Sequence, residues 1–235
     1  MTEDVPQSRT DAIAETLRAQ ILSGKYEAGE RLPSERELAQ KTGCNRASVR
    51  EALKQLEHSG MIAIRPGGGA RVVPLAEAGL GVLKHVLTSR RPDREFLAQW
   101  LDVHELVIAG ATRFAMERAT EDELVAAKKL LRKLVAQTTS AEEFVATADA
   151  LTDLIAIASR NVVLRMVRNA LTAQAQHRGL ERRALGQTRK QLVPIVRDIE
   201  RAMDTRDAVA AEEGVRRLLR ANRETILDLI AAPVQ

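Results

Sequence analysis

Aromatic residues are nearly missing from this 235-residue chain, which has one Trp, one Tyr and three Phe. So sparse a set cannot line a stacking platform for single-stranded nucleic acid. Cysteine is rarer still. Cys44 stands alone, which excludes an internal disulfide framework and a cysteine-based zinc knuckle. No apolar run reaches the roughly 18 residues that a membrane span needs, because Arg, Lys, Asp or Glu interrupts every candidate. The stretch from Met1 to Arg9 is polar and lacks the apolar core of a signal peptide. These absences predict a soluble, cytoplasmic protein with no membrane partner. What is plentiful is aliphatic and charged side chain, 45% hydrophobic and 29% charged, a globular composition large enough for one big or two modest domains.

The formal charge is only +4, but it is unevenly spread. Between Arg31 and Arg71 there are eight basic residues against four acids, a local footprint of the kind that attracts polyanions. The same region has a readable order of elements. Ile13, Leu17 and Ile21 recur every four residues, and Gly24 stops that helix. Ser34 followed by Glu37 is a capping box, predicting a short helix from Glu35 to Gly43. Asn45 can cap the next helix, whose apolar face is Val49, Ala52, Leu53 and Leu56 and whose end is Gly60. Two short helices joined by a tight glycine-containing turn form a helix-turn-helix. The β-prone runs Met61–Ile64 and Arg71–Val73, around a Pro/Gly turn, add a hairpin. Together they read as a winged helix.

The predicted organisation is a winged helix-turn-helix over 1–73, a linker with a short helix over 74–92, and an all-α domain over 93–235. The last has capping boxes at Thr120/Glu123 and Ser140/Glu143, helical apolar stripes, and no β-branched alternation. The fold class is therefore mainly α with one small hairpin.

Arg46, Arg50 and Lys54 fall at i, i+4 and i+8 on the helix after Asn45, with Ser48 beside them and the apolar face opposite. That is the chemistry of a major-groove reader: arginine pairs bidentately with guanine O6 and N7, and serine reaches phosphate or a base edge. Arg36 would point to the same groove. The Gly67–Gly69 tip would allow close approach to a sugar-phosphate backbone. A merely solvated basic face is the bland alternative, and the turn, the hairpin and the local charge weigh against it.

The run Leu32-Pro33-Ser34-Glu35-Arg36-Glu37-Leu38-Ala39, then Arg46-x-x-Val49-Arg50-Glu51-Ala52-Leu53-x-x-Leu56, then the glycine-rich wing, resembles the winged helix of GntR-family bacterial transcriptional regulators. The likeness spans about Arg9 to Val73. It implies operator contacts by Arg36, Arg46, Ser48, Arg50 and a wing glycine, Gly67 or Gly68; Ser34, and Lys54 on the same basic face, complete the candidate DNA-binding residues. It also implies a homodimer on double-stranded, palindromic operator DNA.

The rest of the chain resembles the ligand-sensing FCD-type bundle of the FadR subgroup. The anchors are Ala115-Met116-Glu117-Arg118-Ala119-Thr120, Ala158-Ser159-Arg160-Asn161 and Ala202-Met203-x-x-x-Asp207. Many such domains hold a metal with one Asp and three His. Here the Asp position falls on Asp149 and the first His position on Asp153, while the others fall near Val196 and Leu218. Val and Leu cannot ligate a cation, so no metal or other cofactor is expected; the two carboxylates could still hold a hard cation loosely with water, but the pair reads rather as a solvated face. From Arg160 to Gln191 there are eight bases and one acid. An anionic effector, an organic acid or an acyl-CoA, could be held there by Arg160, Arg165, Arg168, His177 and Arg178.

No enzyme motif survives inspection. His104-Glu105-Leu106-Val107-Ile108 lacks the second His of a zinc-protease helix, and Gly24-Lys25 lacks the Ser/Thr and first Gly of a phosphate loop. The expected protein is a DNA-binding regulator modulated by a small effector. A metal-dependent sensor or enzyme with an accessory DNA module, and an effector-independent architectural DNA binder, stay open as rivals.

Overall fold

The computed structural model describes residues 8–88, 94–136, 140–172 and 182–231. The chain divides into two compact units, Met1–Ser89 and Arg90–Gln235. In the first, helices α1 (Arg9–Leu22), α2 (Glu35–Thr42) and α3 (Arg46–His58) precede strands β1 (Ile62–Arg65) and β2 (Gly69–Val72). A winged helix-turn-helix is thus what the sequence builds.

Local chemistry sets each boundary. The Ser34 hydroxyl accepts from the Glu37 amide while the Glu37 carboxylate accepts from the Ser34 amide, completing the capping box that starts α2. Gly43 ends α2 in the left-handed region (φ 66°) that disfavours a β-carbon. Asn45 then accepts from the Ser48 amide and starts α3. Val49, Ala52, Leu53 and Leu56 are buried, and with Ile13, Ala14 and Leu17 of α1 they supply the small core.

The hairpin is antiparallel, with Ile62 opposite Val72 and Arg65 opposite Gly69. Its strands lie one or two residues from the apolar runs, because Arg65 and Gly69 join the ladder despite their poor β-propensity. The sequence reading also missed a third edge. Residues 29–32 add to β2, with the Leu32 amide donating to Ala70 at 2.8 Å and the Val72 amide to Glu30 at 2.9 Å. After β2 the chain makes two short 3-10 turns, then helix α4 (Leu83–Thr88). Val82 and Val86 of this stretch are buried.

The second unit contains six helices among the described residues: α5 (Arg94–Arg118), α6 (Glu121–Val135), α7 (Ala141–Ala158), α8 (Val162–Thr172), α9 (Arg182–Asp204) and α10 (Ala208–Ala231). Capping boxes start α6 at Thr120 and α7 at Ser140. A continuous aliphatic core joins Ile108, Leu131, Leu134, Leu192 and Ile199 with Val215 and Leu218. The sequence anchors of this unit are helix joints. Arg160 and Arg206 both take positive φ (52° and 53°) at the end of a helix. Asn161 and Asp207 then accept the first amides of the next one.

One joint between helices is unusually close. A β-carbon on Gly214 of α10 would come within 2.5 Å of Ile199 Cγ1 of α9. Gly214→Ala should therefore destabilise the unit by about 1–3 kcal/mol through overpacking, although alanine is the better helix former. Urea unfolding would measure this, and an unchanged midpoint would show that the two helices separate without penalty.

Candidate nucleic-acid interface and the polar centre of the helical unit

The exposed face of α3 presents Arg46, Arg50 and Lys54, with Ser48 half-buried beside them and Arg36 exposed on α2. Among the described residues no carboxylate pairs with Arg36 or Arg46. Lys54 donates to Glu51 at 2.9 Å, an exposed pair that solvent screens. Arg50 is different. Its Nε and Nη2 donate to the two carboxylate oxygens of Glu35 at 3.0 and 2.9 Å. These hydrogen bonds, with the charges of Arg50 and Arg46 beside them, hold the Glu35 carboxyl below the usual range. The period of α3 points to Arg50 but carries no signal for Glu35, which lies on the other helix.

Ser34 has a structural task in the capping box. Gly67 lies exposed at the hairpin tip with φ 71°, and Gly68 sits tight, since a β-carbon there would approach Arg65 Cβ to 3.2 Å. The wing tip is thus a backbone surface with little side chain on it. Just behind it, Gly69 is pressed against the Arg31 guanidinium, 2.8 Å from where a β-carbon would stand.

In the helical unit, the described residues among those proposed from sequence to hold an anion stand in different surroundings. Arg160, at the α7–α8 joint, donates to Glu123 of α6 at 2.8 Å. Arg165 and Lys190 are exposed. His177 and Arg178 lie outside the described residues. Arg168 is buried and reaches Asp149 and Asp153 of α7: it donates to the Asp149 carboxylate and to the Asp149 carbonyl oxygen at 2.9 Å, and forms an ion pair with Asp153 at 3.3 Å. The acidic pair is therefore no solvated face.

His104 of α5 also belongs to this polar centre. It stacks on Trp100, ring centroids 5.3 Å apart. Burial, with the nearby Arg168 charge adding to it, pushes its imidazole down to about 4. Its neighbour Glu105 is held by Arg216 and Arg220 of α10 at 3.2 and 2.9 Å, so the incomplete protease motif is spent on packing two helices.

A metal of the kind that the family resemblance implies does not fit these donors. The Asp149 and Asp153 carboxylates are both paired with a guanidinium, and Val196 (2% exposed) and Leu218 (5%) belong to the aliphatic core. Among the described residues no group of three or more His, Cys, Asp or Glu is placed to hold a metal ion. Separately, a cavity of about 50 Å³ runs between α5, α6, α7, α9 and α10; Thr112 and Glu123 are the polar residues in an otherwise apolar wall. No helix among the described residues is long and apolar enough to cross a membrane.

A capped, basic α3 beside a glycine-tipped wing, with an all-α second unit, defines the winged-helix class of bacterial regulators with an appended helical domain. The chain belongs to the GntR family of bacterial regulatory proteins, matching it over residues 9–72, and carries an FCD domain over residues 99–221. It is 31% identical over 140 residues to the galactonate operon transcriptional repressor of Escherichia coli, covering 58% of this chain and 61% of that protein. To the transcriptional repressor NanR of an Enterobacter species it is 31% identical over 123 residues, covering 52% of this chain and 47% of that one. The chain thus spans about half to three-fifths of the length of these curated relatives. Among solved structures, that of Lar, which controls the Listeria monocytogenes agr system, shares the fold with a TM-score of 0.61 at 14% identity, over 94% of this chain and 98% of that one.

Proposed function

We propose that this protein is a cytoplasmic transcriptional regulator that binds palindromic operator DNA as a homodimer, and that a small organic-acid effector in the helical unit shifts its operator affinity. The observation that carries the reading is the α2–α3 face, where Arg36 and Arg46 stand exposed and Arg50 is held in a fixed plane beside a bare glycine wing. The relatives support it, since they are named as repressors and regulators of operons. The protein acts by binding and not by catalysis. An effector alters DNA affinity only through unequal binding to two arrangements of the protein. Arg160 and Arg168 already hold internal carboxylates, so the anionic character of the effector rests on Arg165, Lys190 and the basic residues beyond the described ones.

Selection from a pool of random duplex DNA tests this directly. The expected product is an inverted repeat bound by two chains, with affinity that changes when galactonate, other sugar acids or an acyl-CoA is added. Failure to enrich any sequence sinks the reading, and enrichment with no ligand response favours the architectural binder.

Glu35 adds a finer expectation. It engages one edge of the Arg50 guanidinium and leaves the Nη1 and outer Nη2 hydrogens for guanine. Glu35→Gln should lower affinity for the selected site by about 3- to 10-fold while raising affinity for unrelated DNA. If both affinities rise together, Glu35 merely repels phosphate.

A further inference from the structure

We propose that Arg168 is the resident cation of the helical unit, occupying the role a metal ion would have, and that this unit is consequently metal-free in structure and in ligand response. The inference about structure stands whether or not the protein binds DNA.

Three observations on different helices converge. First, Arg168 of α8 is nearly out of solvent, with its side chain 10% exposed, and it links two carboxylates spaced one turn apart on α7. A buried guanidinium needs such partners, because an uncompensated charge there is expensive. Its charge is also permanent, since arginine does not lose its proton in proteins. Second, the Nη2 group also donates to the Asp149 carbonyl oxygen at 2.9 Å and lies 3.4 Å from the Thr152 hydroxyl. The fork is thereby oriented by backbone as well as by charge, and a divalent ion would have to displace it against all of these bonds. Third, His104 is stacked on Trp100, and the two remaining ligand positions that the family resemblance implies are Val196 and Leu218 of the aliphatic core. One cation and two carboxylates leave a net charge of about −1, so the centre repels a second anion. An anionic effector would therefore be met elsewhere in the unit.

The test uses the full chain. Elemental analysis after dialysis should find no stoichiometric metal. The thermal midpoint should be unmoved by EDTA and by millimolar Mn²⁺, Ni²⁺ or Zn²⁺. Arg168→Gln should lower the midpoint by roughly 5–15 °C, and Arg168→Lys, which keeps the charge but loses the fork, should fall between it and the wild type. Adding Asp149→Asn and Asp153→Asn to Arg168→Gln should recover at least half of the loss, whereas the same two changes beside an intact Arg168 should lower the midpoint. One metal ion per dialysed chain, a fall on adding EDTA, or no recovery on neutralising the two acids would each overturn the proposal. If Arg168→Gln does not fold, the Arg168→Lys variant and the two Asn changes in the wild type carry the same comparison.

Discussion

Arg46→Ala and Arg50→Ala should each weaken binding to the selected duplex by about 1–3 kcal/mol, roughly 5- to 150-fold, if each side chain reads a base. The two losses should be unequal. Removing Arg46 deletes a cation that makes no direct ion pair among the described residues, whereas removing Arg50 also leaves the Glu35 carboxylate facing DNA without its neutralising fork. Arg50→Ala is therefore expected to be the more damaging, and Arg50→Ala with Glu35→Gln should regain part of the loss. Lys54→Ala should weaken binding to all sequences alike and reduce the salt slope by about 1, as for a phosphate contact. Anisotropy titrations at two salt concentrations, with selected and scrambled duplexes, separate these patterns. Unchanged affinity and base preference in both arginine variants would show that α3 is not the reading helix.

The second large effect concerns acid. His104 titrates near 4 in the fold, against 6.5 when unperturbed. Above about pH 6.5 the imidazole is neutral in both states and adds no pH dependence. As the pH falls from 6.5 towards 4, the unfolded chain takes up a proton that the folded unit refuses. Stability is then lost at up to about 1.4 kcal/mol per pH unit, a total of about 3 kcal/mol. Below 4 the slope from this group vanishes. The carboxyls of Glu123 and Glu143 are held low mainly by hydrogen bonds within their capping boxes. Their contribution is present above the usual carboxylate range and fades as the pH falls through their lowered values. His104→Gln separates the two effects, because it should flatten the stability curve between about pH 6.5 and 5, where the imidazole alone titrates, and leave only the carboxyl-driven loss at more acidic pH. A wild-type curve already flat over that interval would show that the imidazole accepts its proton inside the fold.

Local features were legible in the sequence and tertiary ones were not. The three capping boxes, the Asn45 cap and the buried stripe of α3 depend on residues three or four apart, and each forms where the spacing placed it. Hairpin limits shifted because Arg65 and Gly69 pair in the ladder despite poor β-propensity, and the third edge at residues 29–32 comes from backbone hydrogen bonding where side-chain preference is silent. The basic face of α3 was readable from its period. Its restraint by Glu35 was not, since that pairing depends on how two helices cross. The same holds for Arg168 and the α7 acids, 19 and 15 positions away: a count of charges registers both signs and cannot tell that they meet. Trp100 and His104, one turn apart, were open to pairing by period alone, but the burial that neutralises the imidazole comes from the packed bundle.

The left-handed arginines at the two helix joints have a further consequence. At Arg160 and Arg206 the chain reverses without a loop, and the very next residue, Asn161 or Asp207, already caps the following helix. Such joints have no slack. One residue inserted ahead of the Asn161 cap has to be taken up either by unwinding the cap or by turning α8 about 100° on its axis, which swings Arg168 away from Asp149 and Asp153. Length variation among natural or engineered relatives of this chain should accordingly be absent from these two corners, and a single-residue deletion there should be more harmful than most point substitutions in the core.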